Sequence, residues 1–339
     1  MKKMFLYYIK RRLLSVLILL ALFSVATIIL LAQAEFVTYE TLDNGNVNPV
    51  PGVTNMFLYL SIMLSVLVTI IPIFEFIFKM KRRSVDLYYS LPIKRIKLYL
   101  IKYLIGLVEI LIIFIPQWLI AFIWTASVLN QYLMYYYWFY LLMAFALGVG
   151  MYTTLSLFFT MANNLLDGVL FMAMGSTFLA MIINIFYWVL LKFGAANDLL
   201  FMRNYFLYSP LFNYSQLLYL QMCNNFEAAA DFNNVLALVL VLVLEVVSGF
   251  LFFYIHSTVN SAEKVNEDSS FILGYKVMLP IFLVTSFKLL GQLSALYAVL
   301  ALMGYLAYCI YRRSFRIKKE DFVSLSVSII VGLLIAIFL

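Results

Sequence analysis

The chain has 339 residues, 65% of them hydrophobic and 12% charged, with a formal net charge of +7 and a mean hydropathy of +1.01. A soluble domain cannot hide that much apolar surface, so the composition excludes an ordinary water-soluble enzyme and points to a polytopic membrane protein. The apolar runs are continuous rather than alternating, which favours spanning helices over an outer-membrane barrel.

Hydropathy places candidate spans at 13–33, 54–78, 98–126, 135–160, 168–191, 233–256 and 322–339, with a 35-residue apolar stretch at 277–311. The run after MKKMFLYYIKRRLL lacks a small-residue cleavage site and reads as a retained first span. With the N-terminus in the cytoplasm, 20 of the 23 Lys and Arg fall inside, and Lys192, Arg203 and Lys288 fall outside. This count requires two crossings between Lys276 and Arg312, so the 277–311 stretch reads as a hairpin turning near Lys288–Gln292. The expectation is an all-α helical bundle of about eight to nine transmembrane helices, forming a single membrane domain over residues 1–339. The positive charge then serves to orient the chain and meet anionic lipid, and calls for no nucleic acid.

Between the first two spans, residues 34–53 form an external loop rich in Asn, Gly and Pro. The second and third spans are joined by the loop 79–97, KMKRRSVDLYYSLPIKRIK. Ser84 or Asp86 can cap a short helix there, and Pro92 can end it. The result is an amphipathic piece with Leu87, Tyr88, Tyr89 and Leu91 available to a partner's groove. Aromatics from Tyr132 to Tyr140 mark an interfacial belt at the outer end of the fourth span. The longest external segment is 192–232, and the inner loop 256–276 carries the remaining polarity. Cys223 and Cys309 fall on opposite sides of the expected membrane, so no disulfide between them is expected.

No phosphate-binding loop G-x-x-x-x-G-K-[ST] occurs, no H-E-x-x-H is possible with His256 as the one histidine, and no G-x-S-x-G is present. Catalysis is therefore not expected. Three acids lie in or near spans. Glu75, four residues before Lys79, is expected to pair with it at the inner boundary. Glu109 and Glu245 lie deeper, where a charge costs on the order of 3 kcal/mol. They are candidates for an intramembrane polar site, with a clasp between helices as the alternative.

The basic patch, then VDLYYSLPIKR, then LYLIKYLIGLVEI resembles the permease subunits of type-2 ABC exporters. The similarity is greatest to Gram-positive permeases, at Arg82, Asp86, Ser90, Leu91, Pro92, Ile93, Arg95, Lys102 and Gly106. A second inner loop, SAEKVNEDSSF, is similar at Ser261, Glu263 and Phe271. The specific resemblance covers roughly residues 70–110, and such permeases commonly have six spans rather than about nine. It implies a multi-pass protein of the bacterial cell membrane. The loop would be a coupling helix docking on a separate cytoplasmic ATPase through Asp86, Leu87, Tyr88, Ser90, Leu91, Pro92 and Arg95. This chain would bind no cofactor, since ATP and Mg belong to the ATPase, and a second permease subunit, identical or related, would complete the pathway. The implied function is export, driven by ATP hydrolysis on the separate subunit, of an unidentified substrate, and the apolar bundle would suit an amphipathic one. An ion-coupled secondary transporter using Glu109 and Glu245, and a non-transporting scaffold or sensor, are the alternatives.

Overall fold

The computed structural model describes residues 2–33, 37–41, 47–51, 54–90, 93–128, 134–193, 209, 232–258, 274–289 and 295–338. Leu91, Pro92, Cys223, the Ser261–Phe271 loop and nearly all of 192–232 lie outside these residues. Ten α-helices carry the described fold. They are α1 (Lys2–Gln33), α2 (Thr54–Phe76), α3 (Arg82–Tyr89), α4 (Arg95–Val128), α5 (Met134–Met161) and α6 (Leu165–Lys192), followed by α7 (Phe232–Thr258), α8 (Leu279–Leu289), α9 (Ala295–Arg312) and α10 (Lys319–Phe338). A 3-10 turn, Ile77–Met80, follows α2, and a π-helical turn, Gly274–Met278, leads into α8.

Two short strands, β1 (Val37–Thr41) and β2 (Val47–Pro51), pair antiparallel with Val37 opposite Pro51 and Thr41 opposite Val47. They add a hairpin to the bundle that hydropathy did not foresee. The β-branched and aromatic run Val37–Thr41 and the Asn44–Gly45 pair that follows it are the local signals for it.

Among the described residues, four helical segments are long and apolar enough to cross a membrane: Arg12–Ile29, Tyr59–Met80, Arg95–Ile123 and Leu165–Lys192. Four more apolar segments are shorter: Phe145–Met161, Val239–Tyr254, Tyr275–Phe287 and Tyr297–Arg312. Several helices keep an apolar face outward, as in Leu13, Leu17 and Val25 of α1 and Val243, Val246 and Phe250 of α7. Hydrocarbon tolerates such faces, whereas water penalises them. The stretch 277–311 is two helices, since α8 ends at Leu289 and α9 begins at Ala295.

The chain divides into two compact units. The first contains Met1–Glu75, Lys94–Tyr152 and Tyr214–Asp231; the second contains Phe76–Ile93, Thr153–Asn213 and Phe232–Leu339. In the first, α1 packs along α4, joined by a polar clasp. Gln117 accepts from Thr27 Oγ1 at 2.9 Å and donates to Ser24 Oγ at 2.7 Å. Gly106 of α4 admits the Tyr152 hydroxyl, which donates to the Tyr103 carbonyl at 3.3 Å. In the second, α8 packs against α6, α9 and α10. Gly304 of α9 lies against Leu283 and Leu325, and Gly332 of α10 against Phe287, so small residues let these backbones approach closely.

Candidate functional site

The loop 79–97 is held at its start and open in its middle. Lys81 adopts an extended conformation, and its carbonyl accepts from Ser84 N at 2.9 Å and Val85 N at 3.0 Å. This starts α3 at Arg82 with no side-chain cap. The expected cap at Ser84 or Asp86 is therefore corrected: both lie within the helix, and the 3-10 turn brings the chain round at Lys81, three residues before Ser84. Asp86 acts through its carbonyl, which accepts from Ser90 N at 3.1 Å, while Ser90 Oγ donates to the Leu87 carbonyl at 2.9 Å.

One side of α3 is packed. Val85 is buried, and Tyr88 sits edge-on to Phe78 of the 3-10 turn, ring centroids 4.8 Å apart. The other side is open: Asp86, Leu87 and Ser90 are exposed, Leu87 at 62%. Further along the loop, Lys94, Arg95 and Lys97 are exposed at the start of α4, whose first turn closes with Lys97 N on the Lys94 carbonyl at 2.9 Å.

From the 3-10 turn a line of contacts runs through the second unit. Lys79 Nζ donates to the Thr160 carbonyl near the end of α5. Gly168 of α6 is crowded by Phe159 and Met80, and a Cβ there would stand 2.8–2.9 Å from their side chains. Asn164 caps α6 by accepting from Leu165 N at 2.7 Å. One turn on, Asp167, fully buried, accepts from the Tyr275 hydroxyl at 2.8 Å. The Tyr275 ring lies 4.3 Å from that of Tyr311, and the Arg312 guanidinium stands 4.6 Å over Tyr311. Arg312 also grips Asp321 of α10 with two bonds, Nε–Oδ2 at 2.6 Å and a second at 3.0 Å. Sequence reading missed this line. Its one local signal is Asp167, a carboxylate at the start of an otherwise apolar helix.

Glu75 does not pair with Lys79. Its carboxylate meets Lys102 Nζ of α4 at 3.1 Å and Arg12 Nε of α1 at 3.3 Å, and Arg12 also donates to the Phe74 carbonyl. The cause is local. α2 ends at Phe76 and the chain tightens into the 3-10 turn, so the four-residue spacing no longer puts Glu75 and Lys79 on one face.

Glu109 lies in α4 and is buried, and its Oε1 has no hydrogen-bond partner. Glu245 lies buried in α7. The two belong to different units. No grouping of three or more His, Cys, Asp or Glu suited to a metal ion occurs among the described residues. No protein-family model matches the chain, and no curated protein or solved structure matches it either.

Proposed function

We propose that the chain is the membrane-spanning permease subunit of an ABC exporter, driven by a separate cytoplasmic ATPase. The observation that carries the reading is α3. An eight-residue helix interrupts the basic loop, with Val85 and Tyr88 packed beneath it and Asp86, Leu87 and Ser90 open above. A merely connecting loop would need no such two-sided piece. A docking element needs one side rigidly attached and the other free for a partner.

Asp86, Leu87 and Ser90, with Leu91, Pro92 and Arg95 following in the loop, supply the docking residues, whereas Tyr88, expected among them, packs on Phe78 and anchors α3 instead. Displacement of α3 passes to α5 through the Lys79–Thr160 bond and on to α6 through Met80 and Gly168. Transmission of this kind requires a contact that differs in strength between two states of the bundle. A backbone carbonyl gripped by a buried ammonium suits that role, because its loss is costly in a dry environment. A second permease copy or paralogue completes the pathway, and ATP and Mg stay with the ATPase. The N-terminus lies on the ATPase side of a bacterial cell membrane, in line with the basic loops.

Co-purification with the cognate ATPase tests this. The wild-type chain should bring down an ATPase with nucleotide turnover, and the Asp86→Ala, Arg95→Ala chain should lose or uncouple it. An intact, folded chain that holds no ATPase sinks the proposal.

One observation favours a second reading. The unpartnered Oε1 of buried Glu109 suits a proton- or ion-coupled transporter. Transport that stops with an uncoupler while ATP is held constant would select it.

A further inference from the structure

The turn between α9 and α10 borders an open pocket of about 510 Å³ lined by Tyr305, Phe315, Ile317, Lys319, Phe322 and Val323. The turn is tightly made. Arg313 ends α9 in the left-handed region at φ 51°, and Ser314 N reaches back to the Cys309 carbonyl at 3.2 Å. Tyr305 then donates to the Phe315 carbonyl at 2.7 Å, and Arg316 N to Ser314 Oγ at 3.1 Å. The pocket wall is thus fixed by backbone bonds, yet its rim is apolar and open: Phe315 is 81% exposed and Phe322 62%.

Charge surrounds it. Arg313, Arg316, Lys318 and Lys319 are exposed on this one turn. Against them stands exposed Glu320, while the buried Asp321 is occupied by Arg312. Two large exposed aromatics beside a cluster of cations, at the junction of two apolar helices, match an amphiphile with an anionic head and an apolar tail. An aqueous partner would leave the aromatics uncompensated, and a neutral lipid would leave the cations so.

We infer that this pocket is a binding site for one anionic phospholipid. The acyl chain lies against Tyr305, Phe315 and Phe322, and the phosphate head group lies over Arg316, Lys318 and Lys319. The inference is independent of the permease reading, because any leaflet with anionic lipid would supply the occupant.

Native mass spectrometry of the full chain in detergent tests it, titrating phosphatidylglycerol against phosphatidylcholine with the same acyl chains. Phosphatidylglycerol should be retained preferentially. The Arg316→Gln, Lys318→Gln, Lys319→Gln chain should hold it on the order of a hundredfold more weakly, since each basic residue near an anionic head contributes about fivefold. Phe315→Ser with Phe322→Ser should weaken both lipids, and free glycerol phosphate should not compete. All the changed residues are exposed and leave the Arg312–Asp321 grip in place, so the thermal midpoint should hold. Equal retention of the two lipids, competition by glycerol phosphate, or an unaffected triple variant overturns the inference. A triple variant that keeps its lipid count but loses a co-purifying protein assigns the pocket to that protein, and overturns it as well.

Discussion

Lys102 of α4 and Glu75 of α2 meet at 3.1 Å with side chains only 4% and 0% exposed, a buried ion pair joining two helices whose positions are 27 residues apart. Arg12 is the third member and reaches the solvent edge, with a side chain 27% exposed. Removing one member of a buried pair strands the other, whereas removing both removes the problem. Glu75→Ala should therefore cost about 3 kcal/mol of stability. Glu75→Ala with Lys102→Met should recover part of that, and Arg12→Ala should cost less than Glu75→Ala because its solvent-edge position lowers the stakes. Thermal unfolding of the detergent-solubilised chain reads all of these. Strictly additive losses in the Glu75/Lys102 cycle would refute the pairing.

Gly175 of α6 is the tightest test of packing in the second unit. A Cβ there would collide with three ring atoms of Phe158, including the ring's root, which cannot swing away. Gly249 of α7 meets one Thr153 methyl at 3.4 Å, an ordinary contact distance. Gly175→Ala should lose about 1–3 kcal/mol through overpacking, and Gly249→Ala should be close to neutral. Adding Phe158→Leu to Gly175→Ala should restore part of the loss. Equal thermal midpoints for the two glycine variants would show the crowding to be relieved elsewhere.

The two faces of α3 should separate stability from partner binding. Val85→Ala removes a side chain that is 1% exposed and should loosen the loop, read as faster limited proteolysis near Lys81–Arg83. Leu87→Ala removes one that is 62% exposed, so proteolysis should be unchanged while capture of the ATPase falls. The reverse pattern would place docking on the other face.

Glu109 is the simplest probe of the acids buried in apolar helices. With Oε1 unpartnered, Glu109→Gln removes a charge without breaking a hydrogen bond at that oxygen, so folding should persist. Transport reconstituted in vesicles should fall at least about tenfold if the carboxylate gates the path, since an ionisable group held at such a cost is expected to act there. Unchanged transport would leave Glu109 as a clasp between helices.

The helical segments were legible because hydrophobic length is a local property. Expected spans at 54–78, 98–126, 135–160, 168–191 and 233–256 correspond to α2 with its 3-10 turn, α4, α5, α6 and α7 within a few residues. The stretch 277–311 holds two described helices, α8 and α9, and the expected turn at Lys288–Gln292 lies mostly outside the described residues. The short helix in the 79–97 loop was also anticipated. Its start was not, because the 3-10 turn before it comes from packing of Phe78 and Lys79 rather than from any residue with capping chemistry.

Sequence alone determined that apolar helices dominate this chain, that a basic loop with a short helix interrupts them after α2, and that acids lie within apolar helices. These follow from composition and from spacings of a few residues, over which backbone geometry is nearly fixed. Tertiary structure decided which partner each polar group takes: Glu75 with Lys102 and Arg12, Lys79 with Thr160, Asp167 with Tyr275. In a dry interior a buried polar group left without a partner is costly, but which partner it takes depends on which helices lie side by side. Residues tens of positions apart compete for that place, and no local pattern ranks them.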